Sequence, residues 1–186
     1  MRMFGVVTPI FLLMNVLVYL ACVYIYQPTD LAVNVYAISE KRQYYRFLKK
    51  LWENKDIVIV EGEGSRLGIG NDLFSNAKSI RRILCPIKDA FSKYDEILAS
   101  CKKSDGELFI VALGPTATIL AYDLCKAGYR ALDVGHVDTM YEWFLRKATK
   151  SVHIEGKIVF NEERNKKCLK PCKDKKYYEQ IITTVE

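Results

Sequence analysis

Four glycines and an arginine fall between Gly62 and Gly70, inside EGEGSRLGIGNDLF (Glu61–Phe74), directly after the apolar run DIVIV (Asp56–Val60). Glycine lets backbone N–H groups come close to a bound group, and a guanidinium presents a planar fork to a diphosphate. Gly62-x-Gly64 with Gly68 approximates a dinucleotide fingerprint. That fingerprint also needs an acid after the next strand to hold a ribose hydroxyl, and here the next apolar run ends in Leu84-Cys85-Pro86. A P-loop needs Gly-Lys-Ser/Thr, which is absent from this stretch. What remains is a phosphate or nucleotide loop of another kind. Its candidate residues are Glu61, Gly62, Gly64, Ser65, Arg66, Gly68, Asn71 and Asp72. The plain alternative is a tight turn in which Arg66 pairs with Glu61 or Glu63.

Two further stretches offer the same choice. In ALGPTATILAYDL, Gly114 permits close approach, Pro115 suits a first helical turn, and Thr116 can hydrogen-bond a ligand or cap the helix. In DVGHVDTMYEW, the residues Asp133, His136, Asp138 and Glu142 bring oxygen and imidazole donors together, which beside a diphosphate would suit Mg2+ or Mn2+. The alternatives are an Asp138 helix cap, Glu142 on a solvated helix face, and Asp133 paired to Arg130. Tyr141, Trp143 and Phe144 read as core.

These residues need a scaffold that gathers them. From Tyr44 the chain alternates. Tyr44–Glu53 has helical apolar spacing, Asp56–Val60 is a strand, and Asn71–Ala77 is expected to open a helix with Asn71 or Asp72 as its cap. Ser79–Pro86 reads as a second strand, Asp89–Lys103 as a helix and Glu107–Gly114 as a third strand. A helix from Pro115 to Gly128, a strand over Arg130–His136 and a helix over Asp138–Ala148 complete the pattern. Strand followed by helix, repeated with near-continuous apolar strands, predicts an α/β fold with a parallel sheet covered on both faces. In such sheets ligands bind at the carboxyl ends of the strands. All three candidate stretches lie there. Val152–Glu163 reads as a short hairpin or edge strand.

Composition sets the frame. The 186 residues are half hydrophobic with a formal net charge of +6, which suits one globular domain. Much of the excess charge lies in RNKKCLKPCKDKK (Arg164–Lys176), so residues 164–186 read as a basic, solvated tail. That run lacks interleaved aromatic residues, and no nucleic-acid partner is expected from it. The six cysteines form no dense framework; Cys85 and Cys125 read as small hydrophobes in a reducing, cytoplasmic compartment. Cys168 and Cys172 lack two further zinc ligands. Residues 1–29 differ from the rest. Met3–Thr29 carries no charged side chain and is long enough to cross a bilayer. It reads either as an anchor at the cytoplasmic face of a membrane, through residues 4–26, or as buried core.

VEGEGSRLGIGNDLF, SIRRILCP, DAFSKYDEIL, ALGPTATILAYDL and DVGHVDTMYEWF closely resemble the bacterial GT-D-fold glycosyltransferases, over roughly Tyr44 to Glu162. The resemblance implies a Rossmann-like parallel sheet with flanking helices over residues 30–163. It also implies a metal-dependent enzyme, with Mn2+ or Mg2+, that moves a sugar, typically glucose, from a UDP-sugar to a glycan or glycoprotein acceptor in surface-glycan synthesis. The donor loop would comprise the glycine-loop residues named above together with Gly114, Pro115 and Thr116. Asp138 would hold the metal; Glu61, Asp72 and Asp89 are the candidate bases. The family's metal motif is Asp-x-Glu, and Met140 stands where its second carboxylate would fall, which leaves Glu142 or His136 as substitute ligands. An Arg-Phe-Gly-Asp-Gly-Glu-like motif usual in the family's N-terminal portion is absent before Tyr44. The alternative expectation is therefore a truncated or divergent, catalytically weak and membrane-associated partner that keeps the fold. The oligomeric state is not legible in the sequence.

Overall fold

A computed structural model describes residues 38–158 and 170–186. The expectations for Met3–Thr29 and for Cys168 fall outside those residues. Among the described residues, no helix is long and apolar enough to cross a membrane.

Five parallel strands form one sheet in the order β4-β3-β1-β2-β5. The strands are β1 (Asp56–Gly62), β2 (Ser79–Cys85), β3 (Leu108–Ala112), β4 (Ala131–Asp133) and β5 (Ile181–Thr184). The helices are α1 (Ile38–Lys50), α2 (Tyr94–Lys103), α3 (Pro115–Lys126), α4 (Val137–Leu145) and α5 (Lys175–Glu179), with a 3-10 turn over Ala90–Lys93 before α2.

Alternation along β1 divides the core. Val58 and Val60 point to one face and pack with Ile97, Cys101, Leu120 and Leu124 from α2 and α3. Ile57 and Ile59 point to the other and pack with Tyr45, Leu48, Trp52 and Tyr141 from the α1 and α4 side. A period-2 strand buried on both faces must be apolar at nearly every position, as IVIV is. The order of the sheet positions the site. From β1 the chain moves outward to β2, then crosses back to β3 on the opposite side of β1. The crevice at such a reversal, beyond the carboxyl ends of the strands, is where open α/β sheets bind ligands.

The structure departs from expectation at several points. Asn71–Ala77 is a run of turns and bends, not a helix. Arg66, Gly68 and Gly70 all take positive φ, and although Asn71 Oδ1 accepts from the Leu73 N–H as a helix cap would, the chain continues as turns. No strand forms over 152–158. Asp133 does not pair with Arg130; it accepts hydrogen bonds from the Thr118 hydroxyl and the Gly135 N–H. Cys125 is exposed, while Cys85 is buried as expected. Of the tail read as solvated, residues 170–186 fold back onto the domain. There α5 is capped by the Asp174 side chain, β5 pairs with β2, and Tyr177 and Val185 are buried.

Candidate functional site

A cavity of about 330 Å³ opens where the carboxyl ends of the strands converge. Gly62, Glu63, Ser65 and Leu67 line it from the loop after β1, and Pro86, Asp89 and Phe91 from the segment after β2. Gly114, Pro115 and Thr116 enter after β3, and Gly135, His136, Asp138 and Thr139 after β4. Four strand-end segments thus supply one concave surface, and no single motif makes it.

The loop after β3 has a specific backbone reason for its glycine. Gly114 adopts φ 57°, ψ −140°, a region closed to residues with a Cβ. A Cβ there would meet nothing within 4 Å, so the constraint is conformational and not one of space. The turn starts α3 at the cavity wall with Pro115 in the first helical position and no side-chain cap on its N-terminus. Such an end offers N–H donors and the positive pole of the helix to an anion.

The glycine loop is held by buried charge from beneath and behind. Glu61 is fully buried and accepts from Arg82 at 2.5 Å and from the Leu67 N–H at 2.7 Å. Burial pushes the Glu61 carboxyl above its ordinary range, against the opposing pull of the Arg82 guanidinium and the Leu67 N–H. Arg82 also donates to the Leu67 carbonyl and to Gln180, and its guanidinium lies over the Tyr177 ring. Arg66 is buried as well and pairs with neither Glu61 nor Glu63. It donates to the carbonyls of Gly156 and Lys170, bonds that fix the glycine loop to the segments around it.

Asp138 fastens the same loop from α4. Its Oδ1 accepts from the Gly68 N–H and the Asn71 amide, both at 2.8 Å, and its Oδ2 accepts from Lys157 Nζ at 2.6 Å. Glu142, one turn further on, accepts from Asn71 at 2.8 Å, Lys157 at 3.4 Å and Arg146 at 3.3 Å. As folded, this donor set does not fit a resident divalent cation. Most of its lone pairs are taken by protein donors, an ammonium already sits on Asp138, and the third side chain of the motif is the thioether Met140. Among the described residues, no group of three or more His, Cys, Asp or Glu side chains could hold a metal.

The sequence-derived candidates therefore divide. Gly62, Ser65, Gly114, Pro115, Thr116, Asp89, His136 and Asp138 line the cavity. Glu61, Gly64, Arg66, Gly68, Asn71, Asp72 and Glu142 are not among its lining residues and hold the loop or the helix beside it. Asp72 pairs with Lys49 at 2.6 Å and accepts from the Tyr141 hydroxyl, on the side of the loop next to α1. Sequence reasoning missed Arg82 and Lys157. Each works through partners more than fifteen residues away or on another element, and no local spacing marks them.

An open parallel sheet with a cleft at its reversal point, ringed by glycine turns and a bare helix N-terminus, defines a class of ligand-binding α/β domain. The Glycosyltransferase GT-D fold family matches residues 17–162, and the chain belongs to it. A glycosyltransferase called GlyD from Streptococcus pneumoniae serotype 4 is 47% identical over 120 residues, which are 64% of this chain and 15% of that protein. "Probable glycosyl transferase Gly" from Streptococcus gordonii is 49% identical over 115 residues, 61% of this chain and 17% of that protein. A solved structure described as a new glycosyltransferase from Streptococcus sanguinis superimposes with a TM-score of 0.76 at 41% identity, over 83% of this chain and 57% of that one. Another, described as having a distinct glycosyltransferase fold, gives a TM-score of 0.75 at 40% identity over 84% and 58%. The chain thus spans about a sixth of the curated relatives' length and under two thirds of these solved chains.

Proposed function

We propose that the cavity binds the diphosphate and sugar of a UDP-sugar and that the chain takes part in transferring the sugar, glucose as the first choice, to a glycan or glycoprotein acceptor. The observation that carries this reading is the meeting of the Gly62–Leu67 loop with the uncapped N-terminus of α3 at one cavity. Family membership and the relatives' names as glycosyltransferases support it. In this reading the N-terminus of α3, which has no side-chain cap, stabilises the negative charge that grows on the departing diphosphate. The bond between the anomeric carbon and the diphosphate oxygen breaks, the acceptor hydroxyl oxygen bonds to that carbon, and the hydroxyl proton goes to a base. Of the three candidate bases only Asp89 lines the cavity; Glu61 is sealed beneath Arg82, and Asp72 is engaged by Lys49 and Tyr141.

Incubation with UDP-glucose and other UDP-sugars, with free UDP and labelled acceptor as readouts, tests the proposal. Transfer that is lost in Asp89→Asn but retained in a distant surface variant is expected. A second reading, a donor-binding partner with little turnover, is favoured by one observation: the carboxylate pair next to the cavity is already neutralised by Lys157 and Arg146. Binding of the donor without release of UDP under any acceptor condition would select that reading.

A further inference from the structure

The carboxylates of Asp138 and Glu142 are nearly fully buried, and so is Lys157, which reaches both of them. Arg146 completes a set of two negative and two positive side chains. We propose that Lys157 is the resident cation of the Asp138–Glu142 pair in this chain, and that the pair serves as a latch for the glycine loop and not as a seat for a divalent metal.

Three observations converge on this. First, the charge is already balanced, so a divalent cation would have to expel a buried ammonium 2.6 Å from Oδ2 or coexist with it against strong repulsion. Second, the oxygen of Asp138 not used by Lys157 is used twice, by the Gly68 N–H and by Asn71, and Asn71 also bridges to Glu142. Replacing those donors by a metal would leave the Gly68 N–H without its acceptor and release the loop. Third, Lys157 is itself tied to the glycine loop through its surroundings. The Gly64 carbonyl accepts from the Ile158 N–H at 2.9 Å, and Arg66 holds the Gly156 carbonyl at 2.7 Å. The segment carrying the ammonium is therefore registered against the loop on both sides of Lys157, by one backbone bond and one guanidinium bond to a carbonyl. A side chain placed so firmly is part of the site's construction.

Asp138 and Lys157 are on this account positioning residues. They act on a ligand through Gly68 and the loop, whatever the donor sugar is.

The test uses Mn2+ alone as the probe, on the full chain, followed by electron paramagnetic resonance of the free ion. The wild type and Asp138→Asn are expected to bind Mn2+ equally weakly. Lys157→Met is expected to bind it at least about tenfold more tightly, because the two buried carboxylates then keep only the half-exposed Arg146 as counter-charge. Glu142→Gln in the Lys157→Met background should return the affinity to the wild-type level. Hydrogen exchange supplies the second readout: the Gly68 amide should be protected in the wild type and exchange faster in Lys157→Met. Wild-type Mn2+ binding that Asp138→Asn abolishes would overturn the proposal. So would a folded Lys157→Met with unchanged Mn2+ affinity, or with unchanged Gly68 exchange. If Lys157→Met does not fold, Lys157→Gln takes its place, and the comparison of wild type with Asp138→Asn decides independently. No nucleotide is present in these titrations, so their failure leaves the donor-binding reading to stand or fall on its own experiment.

Discussion

Replacing Arg82 by methionine should remove a large part of the domain's stability. Arg82 is 1% exposed and its partner Glu61 is 0% exposed, 2.5 Å away, under the glycine loop. Methionine fills much of the volume but leaves the Glu61 carboxylate buried with only the Leu67 N–H to serve it. Breaking a buried pair from one side costs about 3–5 kcal/mol, against a total near 5–15 kcal/mol for a domain. The Leu67 carbonyl and Gln180 lose a donor as well. Urea unfolding, followed by fluorescence of the buried Trp52 and Trp143, measures the loss as a shift in midpoint. The pH dependence has a definite sign. Burial already raises the Glu61 pKa, and losing Arg82 removes the strongest opposing pull. The folded variant then binds a proton more tightly than the unfolded chain, so its deficit shrinks between neutral pH and about pH 5. Glu61→Gln in the same background keeps an acceptor for Leu67 but removes the charge, and should restore a substantial part of the loss. A deficit under about 1 kcal/mol, unchanged with pH and not relieved by the second substitution, would refute the reasoning.

Gly68 and Gly70 both take positive φ, but a Cβ at Gly68 would stand 2.6 Å from the Phe74 ring while one at Gly70 meets nothing. Gly68→Ala should therefore cost clearly more than Gly70→Ala, about 1–3 kcal/mol against about 1, measured by thermal melts. Hydrogen bonds from Lys49 and Tyr141 hold the Asp72 carboxyl below its ordinary value of 3.8. The stabilisation from that contact is present above 3.8 and lost as pH falls toward the lowered value. Asp72→Asn should flatten that acid limb in urea midpoints measured against pH, with its cost, under about 1 kcal/mol because Asp72 is largely exposed, appearing above pH 3.8 and vanishing in acid.

The sheet was legible because burial on both faces forces continuous apolar runs, and IVIV and LFIVA announce themselves. The meeting of the strand ends followed from strand–helix alternation alone. The glycine loop was legible as a loop but not in its internal contacts. Glu61 and Arg66 lie five residues apart and have opposite charges, yet each bonds elsewhere: Glu61 to Arg82 across the β1–β2 pair, Arg66 to carbonyls of Gly156 and Lys170. Such pairings depend on which strands become neighbours, information that local spacing does not carry. Residues 71–77 misled for the same reason. Asn71 has a cap's chemistry, and its oxygen accepts from the Leu73 N–H as a cap's does, but its amide serves two acids on α4 and no helix follows. The tail misled through its charge. Its lysines among the described residues are exposed, while Tyr177 packs under two guanidiniums and the β5 backbone pairs with the sheet. Net charge describes the outer surface of a segment and says little about whether its backbone pairs.

The central claim is that the cavity at the strand ends takes a nucleoside diphosphate. Calorimetric titration of the folded full chain with UDP, and in parallel with uridine, tests it most directly. UDP should bind and uridine should bind at least about tenfold more weakly, because the loop and the α3 N-terminus address the diphosphate. Gly114→Ala, which strains the backbone at the start of α3, should weaken UDP far more than uridine. No heat at millimolar UDP, or equal affinity for UDP and uridine, would contradict the account.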